Sequence, residues 1–180
     1  MPVAEKDKLA EPATEWPMQS IQLLRTVQQH HVQLSIMADQ KASMLIGATF
    51  VVFTIAIAQS GGGNASLPML VLAISSFLSA GLAAMAVMPS SGPKPGARPN
   101  PLFFGVFSGM DEDAFTENVL EQISSTEGTF RAMLHDIYQM GSVLAEKKYF
   151  YLGIAYRAFL TGLTLTFILY VIEQFFGPLI

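Results

Sequence analysis

Three long stretches of the chain consist almost entirely of uncharged apolar residues, and polar segments separate them. They cover residues 42–59, 67–88 and 150–172, and the third contains one charge, Arg157, near its start. A helix of about 20 mostly apolar residues is long enough to cross the hydrocarbon layer of a bilayer. The pattern therefore predicts three transmembrane helices. Glycine and asparagine at 60–66 predict a tight turn, which makes the first two helices an antiparallel hairpin.

Apolar residues at helical spacing continue from the first and third spans into the polar segments before them. Residues 20–41 contain no Gly or Pro and predict a helix that Ser20 caps. A similar apolar stripe over 111–149 predicts a second helix, started by a capping box at 108–111 and weakened but not interrupted by Gly128. Both helices are predicted to enter the membrane without a break and to pack on each other as a stalk.

The other polar segments are rich in residues that break helices. Residues 1–19 are polar, contain three prolines, and are predicted to be a disordered lead to a membrane effector domain at 20–180. Proline and glycine recur throughout 89–110, which predicts a loop between the second span and the second long helix.

Composition favours a membrane protein over a soluble one. Of the 180 residues, 51% are hydrophobic and 13% are charged, against a usual charged share of about 25%. Helices inside a large soluble bundle are also apolar on all sides, but this chain does not supply enough other helices to cover three of them. The predicted fold class is an all-α integral membrane protein with three transmembrane helices, two of them extended as long helices into a cytoplasmic stalk.

The basic residues predict the orientation of the spans. Of the ten Lys and Arg residues, all except Arg157 precede the first span or lie between the second and third. Basic loops stay in the cytoplasm, so the N-terminus is predicted to be cytoplasmic and the C-terminus periplasmic in a bacterial inner membrane. The net charge of −4 gives no indication of nucleic-acid binding. A two-helix stalk has a thin core, so a homo-oligomer is expected.

Three blocks of the sequence resemble the Pycsar membrane-effector family: "ADQKASMLIG" at 38–47, "NPLFF" at 100–104 and "IYQMGSVLAEKKYFYLGIAYRAFLTGLTL" at 137–165. The resemblance covers about residues 21–172. It implies a bacterial antiviral defence effector that responds to a cyclic pyrimidine mononucleotide, cCMP or cUMP, made by a partner cyclase. It also implies that the effector impairs the integrity of the inner membrane and stops growth of infected cells, as in abortive infection. No separate cyclic-nucleotide-binding domain is recognisable in this sequence.

Asp39 and Lys41 form a charged pair at the mouth of the first span. They are two residues apart on a helix and do not face each other, so their partners are expected on the returning helix near 146–148. One interpretation is an interfacial anchor with a structural ion pair. The other is a polar layer that holds a closed state or touches a ligand. The resemblance, through its Asp-x-Lys-Ala pattern at Asp39, Lys41 and Ala42, favours the second interpretation.

Asn100, Phe103 and Phe104 place an amide and two aromatic rings in the predicted loop. Aromatic side chains near a membrane surface usually pack against the protein or dip into the lipid interface. Alternatively, a ring of this pair stacks on a pyrimidine base, a contact that contributes about 1–3 kcal/mol per base. Packing is the favoured interpretation, and base stacking remains the functional alternative.

Arg157, Lys147 and Lys148 are the cations close to the third span. The default interpretation of Arg157 is a side chain that extends to the lipid headgroups. The alternative is that Arg157, together with Lys147 or Lys148, binds the phosphate of a ligand, because a guanidinium group binds phosphate in a bidentate manner. These residues complete the set of candidates for ligand binding or gating.

The sequence contains no motif for catalysis or for a cofactor. The histidines His30, His31 and His135, with Asp136, do not match a metal site, because adjacent histidines on a helix point apart and the chain has no cysteine. We therefore predict neither an enzyme nor a metal or cofactor. The alternatives to a signal-gated effector are a holin-like or passive pore former without ligand control and a membrane anchor that recruits a partner.

Overall fold

The computed structural model describes residues 16–60, 66–89 and 98–179, and in this part every regular element is helical. The elements are α1 (Met18–Ser60), α2 (Leu67–Val87), α3 (Phe104–Phe107), α4 (Glu112–Ile123), α5 (Thr126–Val143), a π-helical turn (Leu144–Tyr149) and α6 (Phe150–Phe176). Three helical units are long and apolar enough to cross a membrane: Met18–Ser60, Leu67–Val87 and Thr126–Phe176. The prediction of an all-α fold with three spans is confirmed. Residues 1–15 of the predicted lead and 61–65 of the predicted turn lie outside the described residues.

Helix α2 lies between α1 and α6 and packs against both of them. The Phe53 and Phe77 rings lie 6.0 Å apart, while Ala42 and Ala86 share a core nearer the other end, so α1 and α2 are antiparallel. Small side chains allow transmembrane helices to approach closely. The core where the three helices meet consists mainly of such residues: Ala38, Ala42, Leu45, Ala83, Ala86, Leu152 and Ala155.

Two long helical units extend beyond the apolar spans on the same side of the molecule. Helix α1 has 43 residues and is about 65 Å long. The continuous unit Thr126–Phe176 has 51 residues and is about 75 Å long, more than twice the thickness of the hydrocarbon layer, about 30 Å. The projecting parts touch: Trp16, before α1, stacks on Phe130 of α5 with ring centroids 5.0 Å apart.

The single helix predicted over 111–149 is wrong, because the chain breaks between α4 and α5. Ser125 is extended (φ −130°, ψ 153°), and its hydroxyl oxygen accepts a hydrogen bond from the Gly128 amide at 3.0 Å. A side chain at Gly128 would collide with the backbone carbonyl of Gln122. A Ser N-cap and a glycine with no room for a Cβ atom therefore end one helix and start the next.

Two predicted helix starts and one loop also differ from the structure. Helix α1 begins at Met18, before the predicted cap at Ser20, whose amide donates to the Pro17 carbonyl at 2.8 Å. Asp111 is itself the N-cap of α4, and its carboxylate accepts from the Asp113 amide at 3.0 Å, so the predicted capping box from Ser108 is not formed. The predicted loop 89–110 contains the short helix α3, and residues 90–97 lie outside the described part.

Candidate functional site

The π-helical turn Leu144–Tyr149 lies where the third apolar span begins. A π turn holds one residue more than an α-helical turn, and such turns are frequent at functional sites. Here two consecutive lysines contact different helices. Lys147 Nζ donates to the Met88 carbonyl, after the end of α2, at 2.7 Å, and Lys148 Nζ donates to both carboxylate oxygens of Asp39 on α1 at 2.7 and 2.6 Å. The turn therefore connects α6 to both of the other spans.

The Asp39–Lys148 ion pair joins the two long helices at the boundary of their apolar spans. Lys148 Nζ also donates to Ser35 Oγ at 2.8 Å, so each of its three protons has an acceptor. The Lys148 side chain is 18% exposed and that of Asp39 is 44% exposed, so water screens the pair in part. The prediction that Asp39 finds its partner near 146–148 is confirmed. We call Ser35, Asp39, Lys147 and Lys148 the entrance layer.

Two tyrosines border the entrance layer and contact the backbone of α1. The Tyr149 hydroxyl lies 3.3 Å from the Leu34 carbonyl, and the Tyr156 hydroxyl lies 3.4 Å from the Lys41 carbonyl. Both hydrogen bonds are long and therefore weak. The side chain of Lys41, the second residue of the predicted charged pair, is exposed, so Lys41 and Asp39 face different surroundings.

A second polar cluster, which we call the loop layer, fastens the loop before α3 to the projecting helices. It consists of Gln28 on α1, Asn100 in the loop and Asp136 on α5. Asn100 is 3% exposed and donates to one Asp136 oxygen at 2.9 Å, while Gln28 donates to the other at 2.9 Å. The Asn100 side-chain oxygen accepts from the Leu102 amide at 3.0 Å. Asp136 thus holds three segments together through amide donors.

Gln139 supplies another contact between α5 and the loop, because its side chain donates to the Arg98 carbonyl at 2.9 Å. Of the two predicted rings, Phe103 is partly buried and Phe104 is 60% exposed, with their centroids 4.7 Å apart. The packing interpretation therefore fits Phe103. Phe104 presents an accessible ring beside the loop layer, on which base stacking remains a prediction.

The alignment of α2 with α6 shows which part of α2 lies beside Arg157. Ser79 Oγ donates to the Ala155 carbonyl at 2.8 Å, which aligns α2 with α6. These helices run in opposite directions, so Arg157 is level with Phe77, the middle of α2. Arg157 is nine residues beyond Lys148, about 13 Å along the helix, and Lys148 is already paired with Asp39. Joint binding of a phosphate by Arg157 and Lys147 or Lys148 stays a prediction.

The structure brings the eight candidate residues to three places. Asp39, Lys147 and Lys148 meet in the entrance layer, with Lys41 beside it; the loop contains Asn100, Phe103 and Phe104; Arg157 lies alone within the span. Sequence reasoning missed the roles of Gln28, Ser35 and Ser79. The sequence did indicate a contact for Ser79, since polar residues in an uncharged span usually face another helix. Asp136 was considered only beside His135, although a carboxylate next to an apolar stripe also indicates a contact between helices.

The histidines do not converge on one point. His31 packs against Gly141 of α5, and the His135 ring lies 3.2 Å from the side-chain nitrogen of Gln139. Within residues 16–60, 66–89 and 98–179, no three histidine or carboxylate side chains are grouped in a way that holds a metal ion. In the described residues, the polar groups of the entrance layer and the loop layer contact each other through hydrogen bonds and the Asp39–Lys148 ion pair.

Comparison with known proteins places the chain in a family. No curated protein and no solved structure matches it. The family model described as the Pycsar effector protein domain matches residues 22–173, which includes both polar layers and all three spans. This range agrees with the resemblance found in the sequence, about 21–172. Family membership and the three apolar helices together indicate an antiphage effector in a membrane. The chain therefore belongs to the Pycsar effector protein domain family.

Proposed function

We propose that this protein is a signal-gated effector of the bacterial inner membrane. A cyclic pyrimidine mononucleotide, cCMP or cUMP, made by a partner cyclase during infection, shifts the projecting helices, and the spans repack so that membrane integrity is lost. The chain acts by changing its conformation and catalyses no reaction. Its N-terminus and residues 89–149 face the cytoplasm, where the nucleotide is made, and its C-terminus faces the periplasm.

The observation that supports gating most directly is the continuity of the two long helices through the entrance layer. Helix α1 and the unit Thr126–Phe176 have no break between their projecting and apolar parts. A tilt of the projecting part is therefore transmitted into the membrane. The Asp39–Lys148 ion pair holds the two helices in one relative position, so it stabilises the resting arrangement.

The nucleotide acts at the loop layer in this proposal. Asn100, Gln28 and Asp136 are amide and carboxylate groups of the kind that hydrogen-bond a pyrimidine edge, and the exposed ring of Phe104 offers a stacking surface beside them. In the resting state these groups bind each other. When a ligand replaces these contacts, the loop is released from α1 and α5. A shift of the population from 1:99 to 99:1 requires a ligand preference of about 5.5 kcal/mol.

The projecting helices also expose the surface that a homo-oligomer needs. Outside the apolar spans, Leu23 is 64% exposed, Val32 is 47% exposed and Leu134 is 51% exposed. Apolar side chains in water favour association with another copy of the chain. Assembly of several copies concentrates the membrane lesion at one place, which a single three-helix unit does not do.

Membrane potential in cells that express the chain with or without an inducible pyrimidine cyclase tests the proposal. We expect depolarisation only when both proteins are present and the cyclase is active, with a catalytically inactive cyclase as the control. Depolarisation without the cyclase supports a holin-like or passive pore instead. Normal potential under all conditions, with the protein shown to be in the membrane, supports an anchor that recruits a partner.

A further inference from the structure

A groove on the outer surface of the spans lies between α2 and α6, and Arg157 is one of the residues that border it. The groove has a volume of about 440 Å³ and apolar walls that include Val71, Ile74 and Leu78 on α2 and Ile154 and Leu165 on α6. Its floor is closed because Gly162 lies directly against Ser75: a Cβ atom at Gly162 would overlap the Ser75 side chain. In a chain that spans a membrane, such a groove is open to lipid.

The position of Arg157 is unusual for a charge in a membrane. Its side chain is exposed, and it lies level with the middle of α2, as the Ser79–Ala155 hydrogen bond shows. No carboxylate pairs with it in the described part of the chain. An unpaired arginine within an apolar span is unfavourable, and it is accommodated when its side chain extends toward the interface and lipid headgroups and water move inward to meet it.

We propose that the groove binds one anionic phospholipid from the leaflet on the side of the entrance layer. The lipid phosphate pairs with the Arg157 guanidinium, and one acyl chain lies along the apolar walls. Helical side chains lean toward the N-terminus of their helix, which for α6 is the side of the entrance layer, so the guanidinium meets a headgroup drawn in from that leaflet. From Arg157 to Leu165 the groove is about 12 Å long, enough for a large part of an acyl chain.

This lipid site has a consequence for the bilayer beside the protein. Holding a phosphate at the depth of Arg157 thins the adjacent leaflet, because the headgroup lies below its ordinary level. The inference requires only that the chain spans a membrane, and it does not depend on nucleotide control.

Electron paramagnetic resonance of spin-labelled lipids, with the full chain reconstituted in bilayers, tests the site. The motionally restricted fraction gives the relative affinity for phosphatidylglycerol over phosphatidylcholine. For the unaltered chain we expect a preference of about fivefold, the effect of one basic residue near an anionic lipid. Arg157→Gln should reduce this preference to nearly one, and Arg157→Lys should retain most of it.

Arg25→Gln is the matched control, because it makes the same substitution at an exposed arginine of α1, 17 residues before the first apolar span and outside the groove. We expect it to leave most of the preference intact. Three results overturn the site: no preference in the unaltered chain, a preference that survives Arg157→Gln, or an equal loss in Arg25→Gln. Because the experiment contains no nucleotide, its failure leaves the proposed gating untouched.

Discussion

Replacing Lys148 with methionine removes the ammonium group that joins α1 to the π turn and keeps a long unbranched side chain. Three hydrogen bonds are lost, two to Asp39 and one to Ser35. Three such hydrogen bonds in a fully buried site would contribute several kcal/mol to stability. Asp39 is 44% exposed, however, so hydrogen bonds to water replace part of this contribution in the variant. We therefore take the net contribution as about 1 kcal/mol, which changes a two-state equilibrium by about fivefold.

In the proposed mechanism the ion pair exists only in the resting arrangement, so the variant shifts the population toward the active state. The half-maximal nucleotide level for depolarisation should fall about fivefold in cells with a titratable cyclase. Protein in the membrane fraction must be measured alongside, so that a change in abundance is not mistaken for a change in gating.

The control is Lys41→Met, the same substitution at an exposed lysine on the same side of the spans. It should leave the half-maximal level unchanged. Asp39→Asn should act in the same direction as Lys148→Met, and the double variant should be little different from either single one, because both remove the same pair. An unchanged half-maximal level in Lys148→Met at normal abundance would refute the assignment of the ion pair to the resting state.

Three further predictions concern packing. Gly162→Ala forces a methyl group onto Ser75 and should lower the free energy of unfolding in detergent by about 1–3 kcal/mol, with partial recovery in Gly162→Ala/Ser75→Gly. Gly128→Ala should destabilise the α4–α5 junction by a similar amount, seen as faster hydrogen exchange there, because the added methyl group meets a backbone carbonyl. Asn100→Ala should lower the free energy of unfolding by about 1–3 kcal/mol and expose the loop to protease, since one Asp136 oxygen and the Leu102 amide lose their partner.

Two control variants show whether these losses come from the specific contacts or would follow from any substitution nearby. Gly153→Ala adds a methyl group to α6 where no atom lies within 4 Å, and it should be neutral or slightly stabilising. Asn118→Ala removes an exposed amide whose oxygen accepts a hydrogen bond from Gln122 on the same helix, and it should leave the loop protected. Equal losses of stability in Gly153→Ala and Gly162→Ala would contradict the close α2–α6 contact.

The three spans were predictable because a transmembrane helix consists of consecutive uncharged residues, which can be recognised directly in the sequence. The break between α4 and α5 at Ser125 was not predictable, because the apolar stripe continues across it. It depends on Gly128 meeting the carbonyl of Gln122, which is visible only once both helices are placed. The π turn was equally hidden, since one extra residue in a helical turn leaves composition and spacing almost unchanged.

The candidate site was predictable in part. Asp39 is a charge at the mouth of an apolar helix, so a partner had to exist, and the second long helix was the nearest source. The loop layer could be identified only from the folded structure, because Asp136 contacts residues that are 36 and 108 positions away in the chain. The neighbours of Arg157 on α2 also required the fold, since sequence position gives a place along α6 but not the alignment of α6 with α2.

The π turn gives a continuous helix one residue to spare. Moving that surplus along the chain by one position rotates the residue it passes by about 100° and shifts it by about 1.5 Å, while the helix on either side keeps its place. At Lys148 such a step would swing the ammonium group away from Asp39. The ion pair could then open without a break in the helix and without displacement of the whole span.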